Sequence, residues 1–175
     1  MREPSGAAWC KRFPTSALLG DLVNPFRDNV GRFVQAIRDG GASVTISATY
    51  RPAERAYLMH WSCMIGNGGQ DPAEVPAMAG VDIDWTHGGD RTKAKAGARE
   101  MMAGYNIAFP AALVSRHTQR RAVDMTVHFP HAIMVKDAKG VAHAAAATSD
   151  LIAIGETYGV KKLASDPPHW SDDGH

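Results

Sequence analysis

The apolar positions along the chain alternate between a helical and a strand period, and each change of period marks a boundary. Phe26, Val30, Phe33, Val34 and Ile37 recur at helical spacing. They predict a helix with Asn24 as N-cap, Pro25 in the first turn and Gly40-Gly41 as its stop. Ser43 to Thr49 alternates β-branched with small residues and predicts a strand. Tyr50-Arg51-Pro52 ends that strand and starts a second helix, with Tyr57, Leu58, Trp61, Met64 and Ile65 as its apolar face and Gly66-Asn67-Gly68-Gly69 as its terminus. Residues 66–80, rich in Gly and Pro, read as a long surface loop of the kind that shapes binding sites.

Gly80 to Trp85 alternates again and puts Asp82 and Asp84 on one face. A third helix is predicted from an Asp90 cap to Gly104, with Met101-Met102 as core filling. Tyr105 to Val114 is apolar but interrupted by Pro110, which predicts an edge strand or an extended approach to a site. Ala122 to Phe129 alternates well: Val123, Met125, Val127 and Phe129 form one face, Asp124, Thr126 and His128 the other. His131 to Val135 is a further strand, Asp137 to Gly140 a turn, and Thr148-Ser149-Asp150 caps a last helix closed by Gly159. Val160 to Leu163 is a short strand, whereas residues 1–20 have no period and read as an irregular arm. The expectation is one α+β domain over residues 1–175, with a small antiparallel sheet packed by helices.

Composition removes several functions. A net charge of +1 offers no basic field for nucleic acid, and no apolar run reaches the roughly 20 residues of a membrane span. The N-terminal segment lacks the apolar core and cleavage pattern of a Sec signal, so the expectation is synthesis in the cytoplasm. Cys10 and Cys63 do not have the spacing of a cysteine zinc site, and read as separate buried thiols rather than a disulfide.

Chemistry concentrates in Ser115 to Asp124 (SRHTQRRAVD) and Asp166 to Trp170 (DPPHW), which together hold two imidazoles and two carboxylates. A hydrolytic zinc site needs three N/O ligands, an open position for water and a separate carboxylate for the proton. His117, Asp124 and His169 are the expected Zn²⁺ ligands and Asp166 the general base. His117 must sit on a loop, because seven residues along one straight strand would put it opposite Asp124. Pro167 and Pro168 are expected to hold the segment between Asp166 and His169 stiff and extended. Arg51, at a strand-to-helix junction, is the candidate cation for a developing oxyanion. His128 and His131 are rival ligands, and Asp82, Asp84 and His87 a possible second metal site.

Together these segments resemble the zinc peptidases of the D-alanyl-D-alanine carboxypeptidase and L-alanyl-D-glutamate endopeptidase family, which share the Hedgehog/DD-peptidase fold. The family pattern S-x-H-x-x-G-x-A-x-D is matched by Ser115, His117, Ala122 and Asp124, and E/D-x-x-H-W/F by Asp166, His169 and Trp170. Ser47 to Pro52 (SATYRP) is similar to the family's strand-end arginine segment. The resemblance implies a peptidoglycan stem-peptide substrate, with delivery to the wall by lysis or dedicated export, and Ser115, Arg120 and Trp170 are candidate substrate contacts. The aspartate at 166 looks more like the endopeptidases of phage lysins than the carboxypeptidases. Arg120 departs from the pattern, standing where the family has glycine: a positive φ there would strain the loop, and otherwise arginine would narrow the cleft or bind a carboxylate. Two other classes fit the same residues, a zinc-holding binding module of this fold and an α+β domain without metal; retention of Asp166 favours the enzyme over the module.

Overall fold

The computed structural model describes residues 2–175. In chain order its elements are β1 (Glu3–Pro4), α1 (Phe26–Asp39), β2 (Ser43–Ala48), α2 (Ala53–Gly66), β3 (Ile83–Asp84), α3 (Arg91–Tyr105), β4 (Ala122–His128), β5 (Ile133–Lys136), β6 (Ala142–Ala145), α4 (Leu151–Thr157), β7 (Lys161–Lys162) and β8 (His169–Ser171), joined by short 3₁₀ turns. The fold is mixed α+β with small, mainly antiparallel sheets. The residues group into two compact units, one formed by 1–14 and 52–115, the other by 15–51 and 116–175.

The first unit packs α2 with α3 around Trp9, Tyr57, Leu58, Ile65, Ile83, Trp85 and Met101. Asp90 caps α3 as expected, its carboxylate accepting from the Lys93 N–H at 3.0 Å. The first residues of the chain are more ordered than an irregular arm. Glu3–Pro4 pairs in parallel with β3, and Ala7–Lys11 forms a 3₁₀ turn that buries Trp9. Pairs and turns this short leave no period to read in a sequence. Of the edge strand or extended approach expected over Tyr105 to Val114, the strand does not form: Tyr105 ends α3, and residues 107–114 are irregular. Pro110 has no N–H to give a ladder, and Phe109 and Val114 are exposed. Cys10 and Cys63 are both free thiols.

The second unit is built on a four-stranded antiparallel sheet in the order β2-β4-β8-β7. Val123, Met125 and Val127 of β4 share one core with Phe33, Val34 and Ile37 of α1, Leu151 and Ile154 of α4, and Trp170 of β8. All five apolar positions expected for α1 are buried. The helix begins one residue late, with Pro25 in the N-cap position, and Gly41 supplies the left-handed residue past its end (φ 102°). Gly155 lets α4 approach the sheet: a Cβ there would stand 2.9 Å from the Trp170 ring. A separate hairpin of β5 and β6 closes through the Asp137–Gly140 turn.

Candidate metal centre

Strand alternation fixes two of the expected ligands. With Val123 and Met125 in the core, Asp124 points to the opposite face of β4, and in β8 Trp170 enters the core while His169 faces the other way. The ladder sets Asp124 directly opposite His169. On its other side Asp124 pairs with Ala48 across a bulge in β2, where Ser47 Oγ donates to the Asp124 carbonyl at 3.3 Å. His117 comes from the turn over residues 116–120 and folds back toward both, as its spacing from Asp124 required.

The three ligand atoms form a nearly equilateral triangle. His117 Nε2 lies 3.0 Å from Asp124 Oδ1 and 3.2 Å from His169 Nδ1, and His169 Nδ1 lies 3.1 Å from Asp124 Oδ1. Ligands about 2.0 Å from a tetrahedrally coordinated ion stand about 3.3 Å apart. The edges of the triangle therefore suit a small divalent ion with little rearrangement.

The outer nitrogens strengthen that fit. His117 Nδ1 faces the Thr49 carbonyl at 3.3 Å, and His169 Nε2 faces the His175 carbonyl at 3.2 Å. A carbonyl can only accept, so in each neutral ring these nitrogens carry the proton. The inner nitrogens are then left with lone pairs directed at one another and at a carboxylate oxygen. Both histidines are buried. Three acceptors converging away from water need a cation, either a metal ion or a proton taken up by one ring.

The electrostatics agree. Burial pushes Asp124 up, but the contacts with His117 and His169, which favour the carboxylate once a ring takes up a second proton, outweigh it and hold the carboxyl well below the usual range. Burial pulls His169 down, yet Asp124, the His175 carbonyl and the charge of Asp166 leave it raised overall. Among the described residues, His117, Asp124 and His169 are the group that could hold a metal ion.

Asp166 lies outside the triangle and is exposed. Its segment is a turn rather than the extended presentation expected. The His169 N–H donates to the Asp166 carbonyl at 3.1 Å, because two prolines remove competing N–H donors and leave the chain to close on His169. Lys162 ties this turn down: its ammonium donates to the carbonyls of Leu163 (2.6 Å), Asp166 (2.5 Å) and His169 (3.1 Å). Arg51 is half-buried, and its N–H donates to the His117 carbonyl at 3.2 Å, fastening it to the metal turn.

Arg120 has φ 61°, the left-handed region that glycine adopts without strain. The conformation costs an arginine on the order of 1 kcal/mol. Its guanidinium sits 4.3 Å over the Tyr50 ring, a stack worth about 0.5–1 kcal/mol at an exposed site, so the cost is largely offset. Ser115, just before the turn, is half-buried. Trp170 is a correction: it is fully buried, with its ring 5.5 Å from Phe33, and has no surface to offer a substrate. It anchors the strand that carries His169.

The rivals do not assemble. His128 and His131 are exposed. Asp84 spends its carboxylate on its own turn, accepting from Thr86 N–H (2.9 Å), Thr86 Oγ–H (2.6 Å) and Gly88 N–H (3.2 Å), while His87 Nε2 meets Ser5 Oγ at 2.9 Å. Thr49, Lys162 and Asp173 support the triangle without a signal of their own in the sequence: Thr49 acts through its main-chain carbonyl, which any residue supplies, and Lys162 through contacts that end on main-chain carbonyls. Asp173 accepts from Arg116 Nε (3.0 Å), from the Ser171 hydroxyl (3.3 Å) and from the His175 N–H (3.2 Å), and so holds the carbonyl that faces His169.

No family model matches the chain, and no curated protein matches it in sequence.

Proposed function

We propose that this chain is a zinc-dependent peptidase of peptidoglycan stem peptides with a Hedgehog/DD-peptidase-like fold, most similar in its motifs to the L-alanyl-D-glutamate endopeptidases and D,D-carboxypeptidases. The observation that carries the reading is the triangle of His117, Asp124 and His169, with both histidines oriented by carbonyls behind them. Two imidazoles and one carboxylate are a donor set suited to zinc. Zinc bound there supplies Lewis acidity and a water of lowered pKa.

The remaining roles fall to the chain. Asp166, exposed on a turn three residues before a ligand, takes the proton from the attacking water and returns it to the leaving amine. Arg51, fixed by its own N–H to the His117 carbonyl, supplies positive charge where the scissile carbonyl becomes anionic. The site of action is the cell wall, reached by lysis or by dedicated export.

The test combines metal analysis with digestion of purified peptidoglycan. Protein prepared without chelator or a nickel column should hold about one zinc per chain. It should release new amino termini from peptidoglycan, and Asp166→Ala should keep the zinc and lose the release. Zinc binding without any release, from peptidoglycan or from defined muropeptides, would leave a binding module and end the peptidase reading.

A further inference from the structure

We infer that Arg120 is a specificity residue, a guanidinium held at the rim of the metal centre to bind a substrate carboxylate within about two residues of the cleaved bond. The inference rests on the peptidase reading above and adds to it the chemical group recognised beside that bond.

Three arginines lie on the metal loop, and two are neutralised. Arg116 makes a two-nitrogen contact with Asp173 and lies 3.6 Å from Asp172, and Arg121 reaches Asp172 at 3.5 Å. Arg120 makes no ion pair among the described residues, is exposed, and stacks on Tyr50 instead. Stacking uses the face of a guanidinium, and the N–H donors on its edge are the ones that pair with both oxygens of a carboxylate.

The backbone places Arg120 on the turn that carries His117. The Arg120 N–H donates to the His117 carbonyl at 3.2 Å, so the two residues begin and end one turn, with Cα atoms within about 7 Å. Tyr50 follows Thr49, whose carbonyl faces the His117 ring. An extended peptide advances about 3.3–3.6 Å per residue, so a backbone separation of that size matches about two residues of a bound peptide. The left-handed φ points the same way: glycine would fill this position without strain, so it is the side chain that the fold accommodates.

The experiment uses the zinc-loaded full chain, its Arg120→Gly and Arg120→Lys variants, and two synthetic stem peptides in which the glutamate carboxylate beside the bond is free or amidated. Glycine suits the backbone at this position, so folding is not at risk. The wild type should cleave the acid peptide with a kcat/KM about tenfold or more above that of the amide, mainly through KM. Arg120→Gly should treat the two alike, Arg120→Lys should recover part of the preference, and all three should bind zinc equally. A preference that survives in Arg120→Gly, or a wild type without one, overturns the inference. If the wild type cleaves neither peptide, the peptidase reading fails, and calorimetric binding of the same two peptides decides Arg120. Tighter acid binding that is lost in Arg120→Gly supports it, and equal or absent binding overturns it.

Discussion

Asp124 and His169 stand directly opposite one another across the β4–β8 ladder, with the carboxylate oxygen and the ring nitrogen 3.1 Å apart. Because they are cross-strand partners in a sheet whose other face is packed core, their separation is fixed by strand spacing rather than by side-chain freedom. Two of the three candidate ligands are thus preorganised, and the third, His117, arrives on a turn pinned by the N–H groups of Arg51 and Arg120.

Removing the carboxylate should therefore cost metal rather than fold. Asp124→Ala should bind zinc at least about 100-fold more weakly, and the rise in Tm on adding zinc should vanish. For the wild type, saturation at 100 times Kd corresponds to about 2.7 kcal/mol of added stability. Competition with a chromophoric chelator, read beside thermal melts, checks both. Undiminished affinity in Asp124→Ala would remove Asp124 from the site.

The same triangle makes the metal-free protein respond to pH. Asp124 has a depressed folded pKa, so its contribution is present above its unfolded value of about 3.9 and is lost as pH falls through the folded one. His169 has a raised folded pKa, so its contribution is complete below about 6.5 and is lost as pH rises through the folded value. The metal-free triangle is thus at full strength between about pH 4 and 6.5. Zinc needs His169 neutral and must displace that proton, so its affinity climbs with pH. Melting curves from pH 5.5 to 8 should show a zinc-induced rise in Tm that grows with pH. A pH-independent rise would mean that His169 is not a ligand.

Much of this was legible because alternation reports burial. Val123, Met125 and Val127 against Asp124 give the strand, its core face and one member of the triangle, and the Asp166 to Trp170 motif gives the next. Strand β8 was missed because three residues after two prolines have too few alternations to register. Trp170 was misplaced for a related reason: a motif says that an aromatic follows the histidine, but only the pleat says that successive residues face opposite ways. The contacts that orient both histidine rings were invisible, since they end on the carbonyls of Thr49 and His175.

Lys162 illustrates that gap and gives a third expectation. A lysine has three N–H donors, and here all three end on carbonyls of the loop that carries Asp166 and His169. Burial lowers its pKa, the carboxylates of Asp166 and Asp124 acting against it. Lys162→Met keeps the length of the stem and removes the donors. Stability should fall by on the order of 1–3 kcal/mol, and kcat/KM by up to about 100-fold as Asp166 loses its fixed position. Zinc affinity should change much less, since the β4–β8 ladder still holds His169. A variant that keeps its kcat/KM while losing stability would make Lys162 a purely structural tie.

Asp173 tests the support behind His169 without touching a ligand. Its carboxylate gathers Arg116, the Ser171 hydroxyl and the His175 N–H, and the carbonyl of His175 faces Nε2 of His169. Arg116 is bonded in sequence to His117, so one carboxylate steadies the backbone beside one ligand and the ring of another. The hydrogen bond from Arg116 holds the Asp173 carboxyl below its ordinary value, so the pair stays ionised near neutral pH. Asp173→Asn keeps the shape but loses the charge and half of the acceptors. Partners behind a metal-bound histidine are generally worth about 10–100-fold in affinity, and a zinc affinity reduced within that range is expected here. The loss should appear in the Kd for zinc even where no substrate is present, while the Tm of the metal-free protein moves little because Arg116 still has Asp172 at 3.6 Å. If the affinity for zinc is unchanged, the His175 carbonyl does not depend on Asp173, and the orientation of His169 must come from the sheet alone.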